Sequence, residues 1–236
     1  LSVTEAEWVT CIDPNPMLGF LRGNASQRKM RLFACACSRS IWQLFTDPRS
    51  RRAVQIAEKA ADGMATETEL ASVKEALEQL DFSGQPAQAT KRIAYKVAFQ
   101  KDQINADISR DVDEANTADD AAGVAAYSVV KRSSDPAGWE AARNGEKERQ
   151  TAFLRDIFGN PFRPVAIDPA WLAWRDGTVP KIARTIYDER RFAELSILAD
   201  ALEEAGCADA EILIHCRGDD PHVRGCWVVD FLLGKE

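Results

Sequence analysis

Ser26-Gln27-Arg28-Lys29-Met30-Arg31-Leu32-Phe33-Ala34-Cys35-Ala36-Cys37-Ser38-Arg39-Ser40-Ile41-Trp42-Gln43-Leu44-Phe45, followed by Thr46-Asp47-Pro48, decides the fold class. Met30, Phe33, Ala34, Cys37, Ile41, Leu44 and Phe45 recur at steps of three and four, the period of one helical face. Leu32, Cys35 and Trp42 lie off that stripe and form a second apolar side. A helix apolar on two sides packs against neighbours on both, so it is central to its domain. Asp47-Pro48 then opens the next helix. The aspartate accepts from free first-turn N–H groups, and proline fits a first position where no N–H is needed.

The same Asp-Pro step recurs outward in both directions, at Asp13-Pro14, Asp135-Pro136, Asp168-Pro169 and Asp220-Pro221. Each predicts a helix start. Thr4-Glu5-Ala6-Glu7 and Thr66-Glu67-Thr68-Glu69 have the capping-box pattern, and Gly23, Gly63, Gly159 and Gly206 stand where helices should stop. A turn is predicted over 81–86, one long helix over 87–115 with Ile93, Val97, Ile104, Ile108 and Val112 on one face, and an alanine-rich helix over 118–132. A charged helix from Pro136 ends apolar at Phe153, Leu154, Ile157 and Phe158. Beyond the turn cluster at 159–164, short helices are predicted over 169–175, 178–189, 195–205, 208–216 and 223–233. No strand pattern and no fixed-period repeat is visible. The expectation is therefore all-α, a bundle of roughly nine to eleven helices without significant sheet. It has an N-terminal helical region 1–158 and a C-terminal short-helix region 159–236, packed on it or continuous with it as one domain.

The chain has 236 residues, 45% hydrophobic and 28% charged, which is enough apolar content for a buried core and too much for a disordered chain. No apolar run is long enough to span a bilayer. The acidic opening Leu1-Ser2-Val3-Thr4-Glu5 lacks a signal peptide's basic and apolar regions. With six cysteines and no export signal, reduced thiols in a cytoplasmic protein are expected. A net charge of −7 argues against a general nucleic-acid binder. Phosphate-cradling, dinucleotide, serine-nucleophile and zinc-protease motifs are all missing, so a non-catalytic role is expected first, a zinc-binding or enzymatic site at the C-terminal Cys/His cluster stands as the second alternative, and no cofactor is assigned.

Chemistry-bearing residues crowd the tail. Cys207, His215, Cys216, His222 and Cys226 include both histidines of the chain and half its cysteines. They are weak zinc candidates, because no C-x2-C knuckle accompanies them and small buried cysteines are common core residues. His222 and Cys226, four apart, would share a face if that stretch were helical. Cys35 and Cys37 point to opposite sides of a helix and read as core. Asp230 sits among apolar neighbours and must be paired or protonated, with Arg224 and Arg217 as expected partners. Arg217, His222, Arg224 and Trp227, concentrated in one loop-to-helix step, are the expected protein-binding surface of a non-catalytic interaction or regulatory module. The alternative is nucleic-acid binding through Arg28, Lys29, Arg31, Arg39, Arg49, Arg51 and Arg52, unless these pair with acids of the same chain. A protein partner is expected first, nucleic acid second and a membrane not at all.

Two windows carry a resemblance. One runs from Thr4-Glu5-Ala6-Glu7-Trp8 through Arg31-Leu32-Phe33-Ala34-Cys35-Ala36-Cys37 and Ile41-Trp42 to Arg49-Ser50-Arg51-Arg52-Ala53-Val54. The other joins Asn160-Pro161-Phe162-Arg163-Pro164, Trp171-Leu172-Ala173-Trp174, Ile186-Tyr187-Asp188-Glu189-Arg190 and Leu198-Ala199-Asp200-Ala201-Leu202-Glu203-Glu204-Ala205-Gly206-Cys207 to His222-Val223-Arg224-Gly225-Cys226-Trp227. Together they resemble an expanded family of uncharacterised planctomycete bacterial proteins. The resemblance implies no activity, cofactor or catalytic residue. Expansion of one domain suggests interaction or regulatory modules only by analogy.

Overall fold

A computed structural model describes residues 3–79, 90–94 and 136–235. Among the described residues every regular element is a helix and no strand occurs, so the chain is all-α. The expected turn at 81–86, the helix over 118–132 and the Asp135 cap lie outside them. Of the helix expected over 87–115, residues 90–94 are described; they are helical, with Ile93 and Ala94 buried. The chain divides into two compact units, Leu1–Thr151 and Ala152–Glu236.

The first unit begins with α1 (Glu5–Thr10), whose capping box is reciprocal: Glu7 N–H donates to Thr4 Oγ1 at 3.3 Å and Thr4 N–H to Glu7 Oε2 at 2.8 Å. Helix α2 (Pro14–Leu21) starts on Asp13, which accepts from Asn15 N–H at 2.9 Å. Helices α3 (Gln27–Ser40), α4 (Pro48–Ala61) and α5 (Glu67–Glu78) follow, α3 packing on α4 and α4 on α5. The two-sided pattern of α3 is realised. Met30, Phe33, Ala34 and Cys37 are buried on one side, and Leu32 and Cys35 on the other. The helix ends at Ser40, before the stripe does. A 3-10 turn over Trp42–Leu44 carries the chain on, and Ile41 and Phe45 still reach the core.

Helix α6 (Pro136–Phe158) contains the division between the two units, which falls after Thr151. The last turns of α6 group with the tail, and Asp156 among them is bonded to it, as described below. In the second unit, α8 (Thr178–Glu189) packs on α7 (Pro169–Ala173), α9 (Leu195–Glu204) and α11 (Trp227–Leu233), and α9 packs on α10 (Ala210–Arg217). Their shared apolar core includes Trp171, Val179, Ile186, Tyr187, Leu198, Leu202, Ile212, Val228 and Leu232. Asp209 caps α10 by accepting from Glu211 N–H at 2.9 Å and Ile212 N–H at 3.2 Å.

Asp220-Pro221 does not open a helix, contrary to expectation. Residues 218–226 form an irregular connection, and α11 starts only at Trp227. The reason is local: Val223 N–H is drawn to the Asp156 carboxylate at 2.8 Å, and Gly225 adopts φ +101°, outside helical space.

Candidate metal centre

Four side chains of different chemistry meet in the second unit. Asp156 lies in the final turn of α6 and is 2% exposed. His215 lies in the last turn of α10, His222 in the connection that follows, and Cys226 at the N-cap of α11. A tight turn closes the connection, with Cys226 N–H donating to the Val223 carbonyl at 3.0 Å.

The Asp156 carboxylate is the hub. Oδ1 lies 2.6 Å from His222 Nδ1 and 3.2 Å from His215 Nε2, and Oδ2 accepts from Val223 N–H. His215 Nε2 is also 3.2 Å from Cys226 Sγ. The two imidazoles meet edge to face with centroids 4.8 Å apart. The His215 ring also lies against Trp227, at 5.2 Å. Trp227 leans in turn on Gly159, where a Cβ would come within 3.2 Å of the indole. Gly159 has φ +64° and closes α6, its N–H donating to the Arg155 carbonyl.

The electrostatics follow from burial. Burial pushes the Asp156 carboxyl up, but hydrogen bonds and charge from His215 and His222 together outweigh it, leaving it below the usual carboxylate range. Asp156 is therefore ionised, and both ring nitrogens donate to it. Burial drives the Cys226 thiol well above its ordinary value, and the negative charge of Asp156 adds to this. A cation would reverse that balance, because it binds thiolate and deprotonates a coordinating thiol outright.

One oxygen, two imidazoles and one sulfur suit zinc, and all four ligand atoms lie within 4.8 Å of one another. Tetrahedral zinc with ligands at about 2.0–2.3 Å spaces them roughly 3.3–3.8 Å apart. The closest contacts would therefore open by a few tenths of an ångström or more and the widest would close. His222 Nε2 is buried without a hydrogen-bond partner, so the ring's polar engagement is entirely with this cluster.

Of the zinc candidates from sequence, the cluster takes His215, His222 and Cys226. Cys207 and Cys216 are core residues, each 2% exposed. His222 and Cys226 are joined by a turn, not by a shared helical face. Asp156 escaped the sequence reading, although a carboxylate flanked by Phe153, Leu154, Ile157 and Phe158 is the same signal that singled out Asp230. Asp230 is buried in the first turn of α11. Arg217, one of its two expected partners, is held by Asp200 and Glu203 at 2.7 Å each.

The residues expected to face a protein partner are engaged within their own unit. Besides Arg217, Arg224 lies over the Tyr187 ring at 4.3 Å, and His222 and Trp227 serve the cluster. The basic stretch is likewise matched by acids of its own unit. Arg28 pairs with Asp62 at 3.1 Å, Arg39 forks onto Glu58 at 2.9 and 2.8 Å, Arg49 pairs with Asp47 at 2.8 Å, and Arg52 reaches Glu69 at 3.5 Å. Arg39 and Arg51 sit over the Trp42 ring, while Lys29 and Arg31 are half-buried on α3. This in-chain pairing is the alternative the sequence offered to phosphate contact.

No protein-family model, curated protein or solved structure matches the chain.

Proposed function

We propose that the second unit is a zinc-binding, non-catalytic helical module with Asp156, His215, His222 and Cys226 as its ligands. The observation that carries this is convergence. Three separate stretches of chain bring an oxygen, two nitrogens and a sulfur into one buried cluster. A thiolate in the set disfavours magnesium and calcium, which prefer all-oxygen shells, and two imidazoles with one thiolate suit zinc. Four protein ligands leave no open position for substrate, which is the pattern of structural rather than catalytic zinc. The test is metal analysis of protein purified from zinc-supplemented cells, paired with cobalt substitution. Stoichiometric zinc is expected, with a thiolate-to-cobalt charge-transfer band that Cys226→Ala abolishes. Metal-free protein that gives no such band would refute the proposal.

A second reading, a protein-interaction or regulatory module, draws support from Ile197 on α9 and Ile214 on α10, which are 52% and 71% exposed. Ile214→Asp should then remove a co-purifying partner while leaving metal content unchanged.

A further inference from the structure

We infer that zinc at this centre latches the connection between α10 and α11, rather than stapling together the fold of the whole unit. This rests on the zinc-binding reading above. The apolar core of the unit is assembled by α7 through α11, from Trp171 to Leu232, and of the four ligands only Cys226 belongs to it. A module whose fold depends on metal lacks such a core. Here α8 packs against α7, α9 and α11, and Val179 and Ala183 of α8 and Leu198 of α9 are fully buried in that core.

What the cluster does hold is the stretch 218–226. Its His222 ring and its Val223 N–H both go to Asp156, and its last residue supplies the sulfur. The same stretch, through Asp219, Asp220 and His222, walls a cleft of about 460 Å³ that is also lined by Phe192, in the 3-10 turn before α9, and Ser196, in the first turn of α9. Fixing His222 on a cation therefore fixes that wall. Releasing it frees the connection while the helices stay packed, a local opening rather than global unfolding.

Two arginines make this measurable. Arg217 precedes the connection and Arg224 lies within it, so trypsin reports on its freedom. The full chain is stripped with a chelator, a portion is reloaded with zinc, and both are digested briefly under native conditions. Metal content and far-UV circular dichroism are read on the same samples. Stripped protein should keep its helical signal yet be cut after Arg224 about 10-fold faster, the ratio for roughly 1.4 kcal/mol of lost local stability, with zinc restoring protection. His222→Gln should be cut at the fast rate with or without zinc. Collapse of the helical signal on stripping would overturn the inference in favour of a staple. Equal cutting rates with zinc bound stoichiometrically would overturn it while sparing the zinc centre. Failure to bind zinc at all would overturn both, and the metal analysis identifies that case.

Discussion

The Asp156 carboxylate accepts from two imidazoles and one backbone N–H, so its removal takes the acceptor from His222 Nδ1 and Val223 N–H and leaves His215 Nε2 only the Cys226 sulfur. Asp156→Ala should cost about 3 kcal/mol in urea denaturation and abolish zinc uptake. Asp156→Asn should retain more stability but lose affinity, because a neutral amide neither balances the imidazoles nor attracts a cation. Glu146, in the first unit, behaves oppositely. Burial holds its carboxyl above the usual range, against opposing hydrogen bonding to Ser40 and the charge of Arg149. Ser40 Oγ–H faces two acceptors, the Cys37 carbonyl and the Glu146 carboxylate. Burial prevails over both the hydrogen bond and the Arg149 charge, so the Glu146 carboxyl holds its proton above the usual range. The folded state thus binds this proton more tightly than the unfolded chain does. Stability falls as pH rises from the unfolded carboxyl value, about 4.3, through the raised folded one. Glu146→Gln should therefore be more stable than the parent near pH 7 and equal to it below about pH 4, read by urea titration at both. Arg149 loses its partner at little cost, since its side chain is 51% exposed. Neither acid's role was legible in sequence. Each depends on residues far along the chain, and helical periodicity reports only which side of a helix a residue occupies.

At the scale of elements, local chemistry did most of the specifying. Asp13, Asp47 and Asp168 each cap a helix that begins at the following proline, and both Thr-x-x-Glu boxes close reciprocally. These signals were legible because capping is settled within four residues. Asp220-Pro221 has the same letters and fails, because a carboxylate on another helix competes for the Val223 N–H. Gly159 combines two constraints, a left-handed backbone and the indole of Trp227 against its α-carbon. Gly159→Ala should cost about 1–3 kcal/mol, measured by thermal melting, and should disturb Trp227 fluorescence as the ring is pushed aside. Asp209→Ala should cost about 1 kcal/mol through the lost α10 cap, with zinc affinity reduced less than in any ligand variant.

For the molecule as a whole, composition and periodicity were enough for the all-α class, while a division inside one helix leaves no local mark in the sequence. The Gly-Pro cluster after residue 158 is a local break, whereas the division after Thr151 lies inside a continuous helix whose end carries Asp156, bonded to the tail. No described helix is long and apolar enough to cross a membrane. Since every proposed ligand lies in Ala152–Glu236, hydrogen exchange with and without zinc should change chiefly at 218–226 and leave the amides of α3 and α4 untouched. Five of the six cysteines are buried, and Cys11, whose thiol donates to the Asp13 carbonyl, is the half-exposed exception. A maleimide dye should consequently mark the native protein at one place near its beginning, and a second label appearing at Cys226 would be an optical signal that the tail has let go.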